Sequence, residues 1–382
     1  MKQVIFCLVL VTILQVACKK EARDLQGIPI SDSDTLPVEV IPPEPVVYCS
    51  ASNQAPVNAT LEKIGQLSGG SIAMAVEVSG KIVFSKSASM IEMYDINSKS
   101  WSAIPTHGAY IDRDAITVAN ENKLFFAGGG YFWFPDEYNS VVSIYDVSTN
   151  TWSETNLSKP RMGLAAVTVG NKVLFSGGYE ATNDYDIRVS KVIDVYDVST
   201  NEWSVDSLQE GRAFHDAVEV NGKVYFAGGE NSYQGRVNTV EVYDVVTHDR
   251  NYTSFTGLTG RVSGNSSNGE IFWAGNSCIT AAMNADDLSM ENLYGIQANN
   301  GSKVVVKDGK VLVLKYGLNV FDIYDPQQKT WHVGKLPVPI RLSAAIISVN
   351  NVVYIAGGLI SCSPIPNGCI PVYSGEVFRL EL

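Results

Sequence analysis

The feature that most limits what this chain can fold into is a block of sequence written more than once. Ser143-Ile-Tyr-Asp-Val-Ser-Thr-Asn-Thr-Trp152 is nearly duplicated by Asp194-Val-Tyr-Asp-Val-Ser-Thr-Asn-Glu-Trp203. Weaker copies stand at Met93-Tyr94-Asp95 with Trp101 and at Ile323-Tyr324-Asp325 with Trp331, and in all four the tryptophan falls six residues after the aspartate. A second signature lies upstream: Lys123-Leu-Phe-Phe-Ala-Gly-Gly129, Lys172-Val-Leu-Phe-Ser-Gly-Gly178, Lys223-Val-Tyr-Phe-Ala-Gly-Gly229 and Val352-Val-Tyr-Ile-Ala-Gly-Gly358. Looser versions begin at Lys81, Glu270 and Lys310, so that seven starting points follow one another at intervals of 40 to 51 residues.

A unit of that size with four short strand-like runs has the dimensions of a propeller blade. Around Arg161 the runs are clearest, with Leu164 to Val169 innermost, then Lys172 to Ser176, Lys191 to Val198, and Glu202 to Val205 outermost. The residue types suit this use. Paired glycines end the second strand where neighbouring backbone must come close. Tyrosine and tryptophan supply large buried area between blades. The Asp-x-Ser-Thr-Asn run makes a tight turn through side-chain-to-backbone hydrogen bonds. Diglycine, then Tyr-Asp, then Trp at this spacing resembles the Kelch repeat over roughly residues 57–382. The resemblance implies an all-β chain: a seven-bladed β-propeller of four-stranded antiparallel blades. The last unit ends at Glu376-Val-Phe-Arg-Leu-Glu-Leu382 and can supply only a third strand, so an N-terminal strand, Ala59 to Ile64, is expected to complete the last blade. Two units are worn. Trp273-Ala274-Gly275-Asn276 and Met283-Asn284 replace the motifs of the fifth, and Arg250 replaces the tryptophan of the fourth.

Three segments are expected: a lipoprotein signal peptide over 1–17, a Pro-rich acidic tether over 18–56, and the propeller over 57–382. The run from Val4 to Val16 is apolar but shorter than the roughly 20 residues a membrane span needs. It ends at Leu14-Gln15-Val16-Ala17-Cys18, which resembles a lipoprotein cleavage site, with Gln15 standing where an aliphatic residue is usual. That implies lipid on Cys18 and a bacterial cell envelope, the outer membrane being the expected one, with either a periplasmic or a surface-facing domain. In such an oxidising compartment Cys362 and Cys369, bracketing a turn-rich loop, suit a local disulfide, while the pairing of Cys49 and Cys278 stays open.

The formal net charge of −12 argues against nucleic acid as a partner, because phosphate binding needs a basic face. The four histidines show no metal-ligand spacing, and no Tyr-His dipeptide, nucleophile elbow, P-loop or dinucleotide fingerprint occurs, so neither metal nor cofactor is expected. One charge recurs: Arg113, Arg161, Arg212, Arg261 and Arg341 each precede a first strand, and the repeat places them as a partial ring at one channel mouth, with Gly70 and Asn299 in the units that lack it. Such a ring can bind a carboxylate or sulfate, or it can pair with acidic groups of the next blade. His215, three residues after Arg212, carries the same two readings. Tyr131, Phe132, Trp133, Phe134 and Tyr138 form an aromatic loop in the second unit. Tyr179, Tyr185 and Arg188 join it from the third, and Tyr233 and Arg236 from the fourth. Aromatic faces beside polar groups suit a glycan or a peptide, and the same loop can instead fold over its own blade. The expectation is a non-catalytic binding module for a protein or glycan. An enzyme acting on an acidic sugar, as in the Kelch-like sialic acid mutarotases, and an envelope scaffold are the alternatives. Radiolabelled fatty acid should enter the protein and be lost in Cys18→Ala; equal labelling of the two would remove the anchor.

Overall fold

A computed structural model describes residues 55–68, 73–86, 89–107, 109, 111, 115–130, 137–183, 186–231, 235–275, 277–296, 301–365 and 368–382. The chain divides into two compact units, one of Val47–Ile360 with Tyr373–Leu382, the other of Met1–Val46 with Ser361–Val372. Of the latter, the described part lies in a two-stranded hairpin, Leu359–Ile365 with Gly368–Tyr373, which carries Cys362 on one strand and Cys369 on the other.

Among the described residues the larger unit holds seven sheets with a core of four antiparallel strands, one of which gains a fifth strand, and a three-stranded sheet of Arg161–Met162, Tyr179–Asn183 and Asp186–Val189. Sheets one to six occupy 73–105, 116–156, 165–207, 216–254, 263–294 and 302–335 in chain order. Sheet three shows the pattern, with Ala165–Val169, Lys172–Ser176, Val192–Asp197 and Glu202–Ser207 paired in sequence. Sheet seven takes Ala345–Val349, Val352–Ala356 and Glu376–Glu381 from the end of the chain and Thr60–Gln66 from its beginning. The N-terminal strand is therefore the expected one, shifted by a residue or two. Just before it, Val57–Asn58 adds in parallel to the outer strand of sheet six, a pairing the repeat did not foretell.

Why these sheets need one another is visible in their burial. Third strands such as Val192–Asp197 are buried at four consecutive positions, so both faces are covered, whereas the outer strand Glu202–Ser207 is largely exposed. Each hydrophobic cluster of the ring therefore spans a junction. Phe125 and Ile144 of sheet two meet Val173 and Phe175 of sheet three, and Leu174 and Val195 of sheet three meet Val224 and Phe226 of sheet four. Corresponding clusters join the other neighbours, and the one made by Tyr354, Ala356 and Val377 with Ile82, Phe84 and Tyr94 joins sheet seven to sheet one. This is the packing of a β-propeller.

The repeated residues act at the junctions. Trp101, Trp152 and Trp203 stack on Tyr94, Tyr145 and Tyr196 at 5.2, 4.9 and 4.9 Å, and each indole N–H donates to the outer strand of the preceding sheet. Arg250 does both jobs in sheet four: its guanidinium lies 4.8 Å from the Tyr243 ring centroid and donates to Asp206 at 2.6 Å and the Ser207 carbonyl at 2.9 Å. The turn aspartates Asp95, Asp146, Asp197, Asp244 and Asp325 each accept backbone N–H groups two and three residues ahead, and Asn284 keeps that turn in worn sheet five. The diglycine marks a crossing of backbones. A Cβ on Gly177 would stand 2.1 Å from the Arg212 carbonyl oxygen, at a φ of +61°.

Deletion of residues 57–66 should lower the melting midpoint and broaden the transition, because it uncovers Leu380 and removes the outer strand of sheet seven. Calorimetry showing an unchanged, equally sharp melt would contradict this role.

Candidate functional site

The third strands carry a second recurring residue, two places before the Tyr-Asp pair: Glu92, Asp194, Glu241 and Asp322. All four are buried. Each accepts the backbone N–H of the residue two places past the preceding sheet's outer strand: Ser68 to Glu92 at 2.8 Å, Ser158 to Asp194 at 3.2 Å, Gln209 to Glu241 at 3.1 Å and Ile296 to Asp322 at 3.0 Å. A buried charge of this kind needs a cation as well as hydrogen bonds.

That need explains the arginines. Arg161 is wholly buried, its Nη2 2.5 Å from Asp194 Oδ2 and its Nη1 donating to the carbonyls of Gly177 and Val192 at 2.6 and 3.0 Å. Arg212 is equally buried, donates to the carbonyls of Phe226, Gly228 and Thr239, and lies in the field of Glu241 and Glu210. In sheet six a lysine serves instead: Lys315 is buried with Nζ 3.6 Å from Asp322 Oδ2. Arg161 and Arg212 therefore do not line a channel mouth. Their donors are directed inward at their own sheets.

His215 is buried too. Its Nε2 lies 2.9 Å from Ser176 Oγ, a contact with the outline of a nucleophile and its base. Both groups are enclosed, and Nδ1 has no hydrogen-bond partner to orient the ring. Burial, with Arg212 and Arg161 adding positive charge nearby, pushes the imidazole well below its ordinary range, so it stays neutral. The contact fastens sheet three to the approach of sheet four.

Where the third strand lacks the acid, the arginine stays outside. Sheet five has Ala281 at that place. Gly260 there accepts the N–H of Gly229 as Arg212 accepts that of Gly178, so Arg261 falls one residue beyond the buried position. It lies 3.7 Å over the Phe214 ring, donates from Nε to Glu230 at 3.0 Å, and leaves its side chain 52% exposed. Tyr179 donates to the other Glu230 oxygen at 3.2 Å and meets Phe214 edge-on at 5.8 Å. Arg236, exposed, bridges to Glu230 through the backbone. Arg341 is partly exposed and pairs with Glu376 at 2.7 Å and Ser374 at 2.5 Å. Arg188, also exposed, reaches buried Glu180, which Lys159 approaches at 3.4 Å.

The expected aromatic loop divides. Tyr138 and Tyr179 are buried in a satellite core with Met162 and Ala213, against which Phe214 packs. Arg113, Tyr131, Phe132, Trp133, Phe134, Tyr185 and Tyr233 lie outside the described residues. Phe214 and Glu230 carried no repeat signal and went unread in the sequence. Among the described residues no group of three or more His, Cys, Asp or Glu side chains is arranged to hold a metal.

Residues 78–280, more than half of the chain, match the family model described as the KLHDC2/KLHL20/DRC7 Kelch-repeats domain. The chain belongs to the Kelch-repeat family. It is similar to alpha-scruin of Limulus polyphemus, at 30% identity over 164 residues covering 41% of this chain and 17% of that protein. Kelch-like protein terF of Aspergillus terreus is 30% identical over 165 residues, covering 39% and 36% respectively. Kelch domain-containing protein 3 of Rattus norvegicus is 28% identical over 160 residues, 37% of this chain and 41% of the relative. The match thus spans under half the length of each of these relatives. Within this Kelch chain, Arg161→Ala should destabilise folding by about 3–5 kcal/mol by stranding Asp194, while Arg261→Ala should cost under about 1 kcal/mol. Urea unfolding of the two variants measures the contrast, and equal losses would show that the two arginines play the same part.

Proposed function

We propose that this Kelch propeller is a non-catalytic binding module of the cell envelope, which engages a protein partner with the face carrying Arg261, Phe214 and Glu230. One observation carries the reading. Arg261 is spared the structural duty of Arg161 and Arg212, yet is held in place by ring stacking and by a carboxylate that Tyr179 also fastens. An arginine held rigid and half exposed loses little side-chain freedom on binding, which favours a carbonyl or carboxylate on a partner surface. The export signal and Cys18 support placement at the envelope, with residues 18–56 as a spacer between membrane and propeller.

The test uses the purified full chain as bait for detergent-extracted envelope proteins, with Arg261→Ala and Trp133→Ala alongside. A specific protein retained by the wild type should lose at least ten-fold in affinity with Arg261→Ala. Retention that ignores both substitutions would remove the loop face from the proposal. Binding of a free glycan in place of a protein, abolished by Trp133→Ala, would replace the partner class.

A further inference from the structure

Cys278 immediately precedes the third strand of sheet five, Ile279–Asn284, and is disulfide-bonded. The sequence offers five other cysteines. Cys7 lies in the apolar leader and Cys18 at its end. Cys362 and Cys369 belong to the hairpin of the smaller unit. The remaining cysteine is Cys49, which lies outside the described residues.

Topology brings the start of the described chain toward the same place. The Cys278 carbonyl accepts the N–H of Gly295, and the N–H of the next residue, Ile296, is held by Asp322 of sheet six. Asp322 pairs across the sheet with Val333, whose neighbour Gly334 pairs with Val57. These are six neighbour steps of about 5 Å each, so Cys278 and Val57 stand within roughly 30 Å. The eight residues from Cys49 to Val57 can span up to about 28 Å when extended, and a disulfide adds about 5.5 Å between its two Cα atoms, which brings the bond within reach.

We propose that Cys278 is joined to Cys49, so that the segment ahead of the first strand is covalently fastened to sheet five. Formation transfers two protons and two electrons from the two thiols to the disulfide of a thiol oxidant, which leaves as a dithiol while the Cys49–Cys278 sulfur–sulfur bond forms. The consequence is mechanical. Val57–Asn58 and Thr60–Gln66, which tie the chain's beginning to sheets six and seven, are held by backbone hydrogen bonds. A pull arriving from the N-terminal side would peel them in turn. With the bond in place, the load enters at Cys278, and the closing strands are spared. This consequence rests on reading residues 18–56 as a tether; the bond itself does not.

The full chain, purified without reductant and alkylated, should yield on non-reducing digestion a linked peptide pair containing Cys49 and Cys278 that separates on reduction. Alkylated Cys278, or Cys278 linked to Cys362 or Cys369, would overturn the assignment. Cys49→Ser and Cys278→Ser should each lower the melting midpoint by roughly 5 °C, and to the same degree. Reductant should shift the wild type by about that much more than it shifts Cys49→Ser, in which only a Cys362–Cys369 bond is left to reduce. A reductant shift in Cys49→Ser as large as in the wild type would refute the pairing, whatever becomes of the tether.

Discussion

No sheet of this molecule can bury itself. The third strands are covered on both faces by apolar side chains, and only a neighbouring sheet on each side provides that cover. Burial of a leucine- or phenylalanine-sized side chain contributes about 1.5–3 kcal/mol, so an unpartnered sheet would forfeit most of its stabilisation. The rest follows from that dependence. Junction clusters run from sheet to sheet and return to sheet one, and the chain's beginning is spent on completing sheet seven.

Two apolar faces pressed together would still slide. Position is set by the polar groups embedded in the junction. Buried carboxylates at the third strand reach back to an amide of the preceding sheet, and the tryptophans reach the same sheet with their indole N–H. Asp194, Glu241 and Asp322 each stand with a cation, from the first-strand approach in sheets three and four and from the second strand in sheet six. Arg161 and Arg212 belong to this framework. Arg261 does not, because Ala281 offers it no charge, and that freedom sets it on the loop face beside Phe214.

Much of the frame was legible because it repeats. The Tyr-Asp…Trp spacing, the diglycine and the turn aspartates each recur at one place in every good copy, so one physical job explains all instances. Arg250 could be seen to stand in the tryptophan's place, but not that a guanidinium would both stack on Tyr243 and bind the neighbouring sheet. The candidate site was less legible. Counting back to the second strand makes Arg261 an equivalent of Arg212, yet the backbone hydrogen bonds put Gly260 there. Tyr138 and Tyr179 read as exposed loop aromatics because their burial comes from Ala213 and from Met162, which pairs with Tyr179 in a small three-stranded sheet that the repeat does not encode.

The order of residues alone determined the unit, its number of copies, the tight turns and the large rings between sheets, since these depend on spacing within some fifty residues. Tertiary structure decided which charges are framework and which are free. An arginine's fate depends on whether an acid from another strand occupies the adjacent buried position, and that adjacency exists only once the sheets have packed. The same holds for the parallel addition of Val57–Asn58 to sheet six, where the pairing partner lies more than 270 residues away along the chain.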